Sequence, residues 1–433
     1  MAIIPQLRLF AWQDLQALGD LERLQCVLEA MPDESLMRAL ETDRGRGRNE
    51  YPVRAMWNAL LAGVVFQHPS VETLRRELAR NGQLREICGF TGKAPSAWAF
   101  SRFLHRLIHH VDAMNVMFDE LVETLRILLP QFGERLAVDS KAVPSFAKHR
   151  SKKETPDGRR DIDADYGVKS YRGVHKDGRP WETVKHWFGY KIHLLVDAVY
   201  ELPVAWTVTK ASTADITEAP QLLKQLHQRH PLVMVAARLL TADRGYDATD
   251  FLTVCWDTYG IKPVIDIRNM WKDGESTHVL PGQTNVAYNY RGQVFCHDPV
   301  NGVEREMSNG GFEKDRQTLK KRCPAQTAGT TGAGQAQCPV ASGLRIPLKT
   351  DRRVFTPIDR ASYQWDREYK HRTAVERVNS RLDVSLGFEL HTIRGLQKMQ
   401  MRTGLALIVM LAMAVGRIRQ QRPDLMRSLV RSA

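Results

Sequence analysis

Cysteine is scarce in this 433-residue chain: six in all, widely scattered, which excludes a disulfide scaffold and points to a reducing compartment. Long apolar runs are missing as well. The most apolar stretch, Leu405 to Val415, sits between Arg402 and Arg417; it is too short for a bilayer and reads as a buried helix. The opening MAIIPQLRLFAWQDL has neither the basic start nor the small-residue cleavage site of a secretory signal. No P-loop and no dinucleotide fingerprint occur, so nucleotide hydrolysis is not expected. Internal repeats are absent. Acid is also in deficit: 62 Lys and Arg face 49 Asp and Glu, a net charge of +13 spread along the chain. A basic folded surface and a polyanionic partner follow from that excess. The expectation is a soluble cytoplasmic protein with no membrane association.

What is present divides into four parts. Residues 1–130 read as helical: YPVRAMWNALLAGVVF places Val53, Met56, Trp57, Leu60, Leu61 and Val64 at helical spacing. Ser70, followed by Thr73, is a helix N-cap, and Asn81-Gly82 is a break. The Gly-interleaved basic run DRGRGRNE, 43–50, suits either a phosphate contact or a solvated linker. Residues 131–267 change period. RLAVDSKAV (135–143) reads as a strand, 188–198 and 202–212 as a hairpin turning at Val199–Glu201, and 238–247 and 262–267 as further strands with helices between. Residues 268–365, rich in Gly, Pro, Thr, Asn and Gln, read as an insertion. Residues 366–433 hold a basic helix and the apolar one. The fold class expected is mixed α/β, a sheet flanked by helices, with a helical N-terminal domain.

Three acids stand out. Asp139 lies inside an apolar strand, where a carboxylate is costly unless paired or bound to metal. Asp243 ends another strand, in TADRGYD. Glu376 is the acid at the centre of the basic stretch REYKHRTAVERVNSRLD, a predicted helix from Arg367 to Asp383. Tyr369, Arg372 and Glu376 fall at i, i+3 and i+7 on one face, Val375, Val378 and Leu382 form the packing face, and Lys370, Arg377 and Arg381 form a basic stripe between. Read alone, Arg372 and Glu376 make an i,i+4 ion pair. Read with Asp139 and Asp243, the acids make an oxygen donor set for a hard divalent cation such as Mg2+, while the stripe neutralises DNA phosphates.

LAVDSKAV, WFGYKIHLLVDA, LLTADRGYD and YKHRTAVERVNSRL together resemble the successive motifs of DDE transposases of bacterial insertion sequences, the group whose third motif reads Tyr-x-x-Arg-x-x-x-Glu. The resemblance spans roughly residues 50–415 and includes the helical stretch beginning at Ser70. It implies an RNase H-like catalytic core, a metal-binding triad of Asp139, Asp243 and Glu376, and one or two Mg2+ or Mn2+ ions, two being the expected number. It also implies double-stranded DNA as substrate (the element's terminal repeats and a target), DNA contacts by Tyr369 and Arg372, and a homodimer on DNA, nucleoid-associated when bound. A lysine common in the group seven residues after the glutamate is here Asp383, and Arg377 and Arg381 are left to supply the charge. Tyr369 fits packing against the sheet equally well. Two rival functions share these features: a catalytically inactive DNA-binding derivative, and a nuclease that cuts without strand transfer.

Three smaller signals complete the reading. DIDADYG (161–167) alternates acids but misplaces the glycine of a calcium loop, and lies in a charged connection, 148–186, expected to be flexible or DNA-facing. Cys296, His297, Cys323 and Cys338 share the insertion, but the absence of a CxxC pair and their irregular spacing weigh against zinc. Asp197 and Asp215, near the hairpin, are expected to form turns rather than to support the metal-binding acids.

Overall fold

The computed structural model describes residues 20–45, 50–147, 161–175, 177–327, 329 and 334–428; of the basic loop at 43–50, positions 46–49 lie outside these. The chain opens with α1 (Leu21–Ala30), α2 (Glu34–Arg44), α3 (Val53–Val65), α4 (Val71–Arg80), α5 (Gly82–Cys88), α6 (Ala97–Ile108) and α7 (Val111–Leu128). Local chemistry sets their ends. Ser70 Oγ accepts from the Thr73 N–H and Thr73 Oγ1 from the Ser70 N–H, each at 3.2 Å, a reciprocal capping box at the start of α4. Asn81 closes α4 and caps α5, its Oδ1 accepting from Leu84 N–H at 3.0 Å.

The main sheet contains β1 (Arg135–Pro144), β2 (Asp165–Val174), β3 (Pro180–Asp197), β4 (Leu202–Lys210), β5 (Leu239–Ala242) and β6 (Lys262–Ile265), with α8 (Asp215–Arg229) between β4 and β5. Its order is β2-β3-β1-β5-β6, with β4 also on β3. β1, β3 and β4 pair antiparallel, whereas β5 and β6 run parallel to β1. Three antiparallel strands followed by two parallel ones is the RNase H-like arrangement. The second half of β3 is buried between β1 and β4. Its first half pairs with β2 as an exposed ribbon. Of the charged connection, expected to be flexible or DNA-facing, positions 148–160 and 176 lie outside the described residues; what is described includes a two-stranded ribbon over 165–174 and 180–189, in which Val168, Val184 and Trp181 supply the β-forming residues among the charges.

The last part of the chain contributes α9 (Tyr363–Tyr369), α10 (Thr373–Leu386) and α11 (Leu396–Arg419). The basic helix expected from Arg367 to Asp383 is thus two helices joined by a tight turn at Lys370–Arg372. Helix α11 is long and apolar enough by composition to cross a membrane, but it is buried, packed against α1, α3, α7 and β4. A Cβ at Gly416 would lie 2.3 Å from Cys26 Sγ and 2.8 Å from the Cys26 carbonyl, so glycine is what lets α11 close on α1. One continuous hydrophobic core consequently joins the N-terminal helices, the sheet and α11.

The insertion is more ordered than its composition suggests. It folds as two small antiparallel sheets: β7 (His278–Val279), β8 (Val286–Tyr288), β9 (Val294–His297) and β10 (Glu304–Glu306), then β11 (Ser308–Glu313), β12 (Thr318–Arg322) and β13 (Leu344–Pro347). A separate core including Val286, Val294, Leu319, Ile346 and Phe355 holds it. These strands of two to six residues are too short to display period-two alternation, which hid them in the sequence.

Asp197, at the end of β3, is fully buried and accepts from Gly133 N–H (2.7 Å), Val199 N–H (3.0 Å) and Tyr200 N–H (2.5 Å). It is the turn-forming residue the sequence suggested. Asp197→Ala should strand those N–H groups and cost about 3 kcal/mol. Urea unfolding would show this as a lowered midpoint at unchanged slope.

Candidate active site

The parallel pairing of β1 and β5 fixes the first two acids. Val138 lies opposite Ala242, the last pair in register. Asp139 and Asp243 follow directly and stand side by side, their backbones one strand spacing of about 5 Å apart: Asp243 just past the carboxyl end of β5, Asp139 midway along β1, which runs on beside β3 to Pro144. Carboxyl ends of parallel strands are where α/β sheets place ligands. Both side chains are partly buried. Burial pushes the Asp139 carboxyl up to about 6, with Asp243 and Asp215 adding to the rise and Lys169 on β2 opposing it.

Each aspartate is held by one backbone donor. Asp139 Oδ1 accepts from Ser140 N–H (2.7 Å), and Asp243 Oδ1 from Gly245 N–H (2.7 Å) as it caps the turn Arg244–Tyr246. A Cβ at Gly245 would stand 2.8 Å from that Asp243 oxygen, so glycine keeps the carboxylate seated. Next in the chain, Asp247 is buried against Arg353 (2.6 Å) and accepts from Arg268 N–H (2.8 Å), which anchors the insertion to this end of the sheet.

Helix α10 packs on β1 and β3 through Val375, Val378 and Leu382, the predicted packing face, all fully buried. The Lys370–Arg372 turn packs against β1 and β5. Glu376 is half-exposed and takes a 2.5 Å bond from Arg372. Burial works against charge on Arg372, but Glu376, Tyr369 and Asp139 together hold its pKa above the ordinary value. The guanidinium therefore stands in electrostatic reach of both the first and the third acid. Among the described residues no three His, Cys, Asp or Glu side chains are gathered closely enough to enclose a metal ion. In this arrangement Lys169 and Arg372 supply cationic charge within reach of Asp139, and Glu376 is turned to Arg372.

The basic stripe is more engaged than the sequence implied. Arg377 pairs with Glu201 (2.5 Å) at the β3–β4 turn. Arg381 is mostly buried, donates to the Glu201 carbonyl, and has its pKa lowered to about 10 by burial. Lys370 is exposed. Tyr369 is half-buried, stacked on Trp365 (centroids 4.7 Å apart) with the Arg372 guanidinium 5.8 Å above its ring. Asp383, at the position where the resembled group has lysine, binds Lys141 (2.5 Å), which also meets Glu389 (3.0 Å). Lys141 shares a sheet face with Asp139, two residues away.

Two further residues adjoin the pair, one read as turn-forming and one that the sequence reading did not single out. Asp215, expected in a turn, begins α8, binds Lys191 (2.9 Å) and lies in electrostatic reach of Asp139. Tyr246 is buried, with Asp139 and Asp243 in electrostatic reach of its hydroxyl. Its place in TADRGYD, three residues after Asp243, was the available signal. His193, opposite Ser140, bonds Thr209 Oγ1 (2.9 Å), and burial lowers its pKa to about 4, so it stays neutral.

The other candidates resolve elsewhere. Asp161 accepts from Ser145 Oγ (2.5 Å), Tyr190 OH (2.6 Å) and Gly395 N–H (3.0 Å), and Asp163 from Leu396 N–H (3.0 Å); these acids pin α11 to the sheet. Cys296, His297, Cys323 and Cys338 line one small cavity in the insertion, and burial with the neighbouring thiols raises the Cys296 pKa.

An RNase H-like sheet with acids side by side on adjacent parallel strands, in a strongly basic chain, defines the class of metal-dependent phosphoryl-transfer enzymes acting on nucleic acid. Comparison with known proteins narrows this. Residues 130–412 match the family model described as Transposase DDE domain, and residues 13–106 match Transposase domain (DUF772). The chain belongs to the DDE transposase family. It is a DNA transposase, a divalent-metal-dependent enzyme that cuts transposon ends and joins them to target DNA. Among solved structures it is similar to a piggyBac transposase, seen by cryo-EM as a synaptic complex with hairpin DNA: 10% identity over 97% of this chain and 80% of that one, with a TM-score of 0.38. No curated protein matches it.

Proposed function

We propose that Asp139, Asp243 and Glu376 are the metal-binding triad of this transposase, that Mg2+ or Mn2+ is the ion, bound as a pair, and that the enzyme works as a homodimer on double-stranded DNA. The observation that carries the reading is the register of β1 and β5, which sends two carboxylates out together beneath the α10 helix that bears the third. The donor set is all oxygen, which suits hard divalent ions. When bound, such ions polarise the phosphodiester and lower the pKa of the attacking water or hydroxyl. The residues' own work is positional: Asp139 is fixed within β1 and Asp243 at the end of β5, each by a backbone donor, and Glu376 would join them only by giving up its bond to Arg372. Arg372, so freed, would be placed to meet phosphate, together with exposed Lys370. Two DNA ends must be cut and joined in concert, which favours two copies. The cell compartment we infer is the reducing cytoplasm, at the nucleoid.

The test is incubation of purified protein with DNA bearing the element's own ends, in EDTA, Mg2+ or Mn2+, together with a target plasmid. Metal-dependent 3′-hydroxyl ends and joined products are expected. Cutting that persists in EDTA would overturn the metal assignment, and cutting without joining would mark a nuclease.

A further inference from the structure

Tyr246 is 1% exposed, and its hydroxyl finds no hydrogen-bond partner among the described residues. Burying an unpaired hydroxyl is costly, so phenylalanine would serve better were the ring only filling space against Phe251. Asp139, Asp215 and Asp243 all lie within its electrostatic reach, and the Ser140 side chain is close enough to act on its oxygen as a donor, which leaves the O–H hydrogen itself without an acceptor. Asp215 is already held by Lys191. Asp139 and Asp243 each hold one backbone N–H on Oδ1, and no further hydrogen bond reaches either carboxylate among the described residues. A donor without an acceptor thus sits beside two carboxylates with acceptor capacity to spare.

We propose that Tyr246 is a positioning residue: when the Asp139–Asp243 pair holds a divalent cation, the Tyr246 O–H donates to one of its carboxylate oxygens and fixes which oxygens face the ion. This rests on the metal-binding role assigned to that pair above. The turn that carries Tyr246 is the one Asp243 caps, so the donor and one acceptor belong to a single rigid unit. Hydrogen bonds to metal-binding carboxylates commonly change metal affinity by about 10–100-fold.

The experiment compares wild type, Tyr246→Phe and Asp139→Asn. Mn2+ uptake is read directly from the loss of the free-ion EPR signal, without DNA. Cleavage is then titrated with Mn2+, and unfolding is measured in EDTA. For Tyr246→Phe we expect Mn2+ affinity about tenfold or more below wild type. Its defect should fall in the Mn2+ concentration for half-maximal cleavage more than in the maximal rate, and its melting temperature in EDTA should equal or exceed that of wild type. Unchanged Mn2+ affinity in Tyr246→Phe, with uptake lost in Asp139→Asn, would overturn the positioning role alone. Equal uptake by wild type and Asp139→Asn would remove the metal-pair reading and this proposal with it. A lower melting temperature for Tyr246→Phe in EDTA would show that the hydroxyl serves the fold instead.

Discussion

Asp139→Asn is expected to reduce DNA cleavage by at least about 1,000-fold, some 4 kcal/mol of transition-state stabilisation, while DNA affinity holds or rises. The amide keeps the shape and the Ser140 N–H contact but removes the charge that a hard cation needs. DNA affinity gains because one negative charge leaves a basic surface. The same change should stabilise the metal-free protein. Burial raises the folded carboxyl to about 6, against a reference value of 3.8. The folded state therefore holds its proton where the unfolded chain has released it. Below about pH 4 both states are protonated and the group carries no penalty. As pH climbs from there through 6 the penalty grows, and above 6 it is complete, at about 1–3 kcal/mol. Wild type and variant should thus melt together at pH 4 in EDTA and diverge by pH 7, the variant being higher, with Mn2+ closing the gap by binding wild type alone. Equal melting at both pH values would mean that Asp139 is not strained by burial. An equal loss of cleavage and DNA binding would make it a structural residue.

Glu376→Gln separates two readings of one side chain. As a plain i,i+4 partner of Arg372, half-exposed, Glu376 adds only about 0.3–0.5 kcal/mol, and the variant would lose that and nothing else. As the third metal-binding acid, it should cost about 100-fold or more in cleavage. The expected outcome is a melting curve within about 0.5 kcal/mol of wild type alongside a large loss of cleavage and joining. Unaltered cleavage would return Glu376 to the ion pair and require another third ligand, for which Asp215, in electrostatic reach of Asp139, is the next candidate.

Much of this architecture was legible in the residue order. Apolar strand residues around Asp139, the turn at Val199–Glu201, the Ser70 cap and the Val375, Val378, Leu382 stripe are local patterns, and each stands where its periodicity or capping chemistry requires. The β2–β3 ribbon and the strands of the insertion were not legible, because charged or very short strands lack the alternation that marks a half-buried one. Charge was the least reliable guide. Arg377 and Arg381 are a basic stripe in sequence, yet in the fold Glu201, 176 and 180 positions away, takes both.

The sequence by itself determined the residue types and the local frames: which strands carry an acid, which helix face packs, and a net positive charge suited to DNA. Only the tertiary structure decided that Asp139 and Asp243 are neighbours, because strand register depends on pairing between segments about a hundred residues apart. It alone decided that Arg372 binds Glu376 within electrostatic reach of Asp139, and that Tyr246 buries an unpaired hydroxyl within reach of Asp139 and Asp243. Distances between remote side chains follow from how layers pack, and no spacing along the chain encodes them.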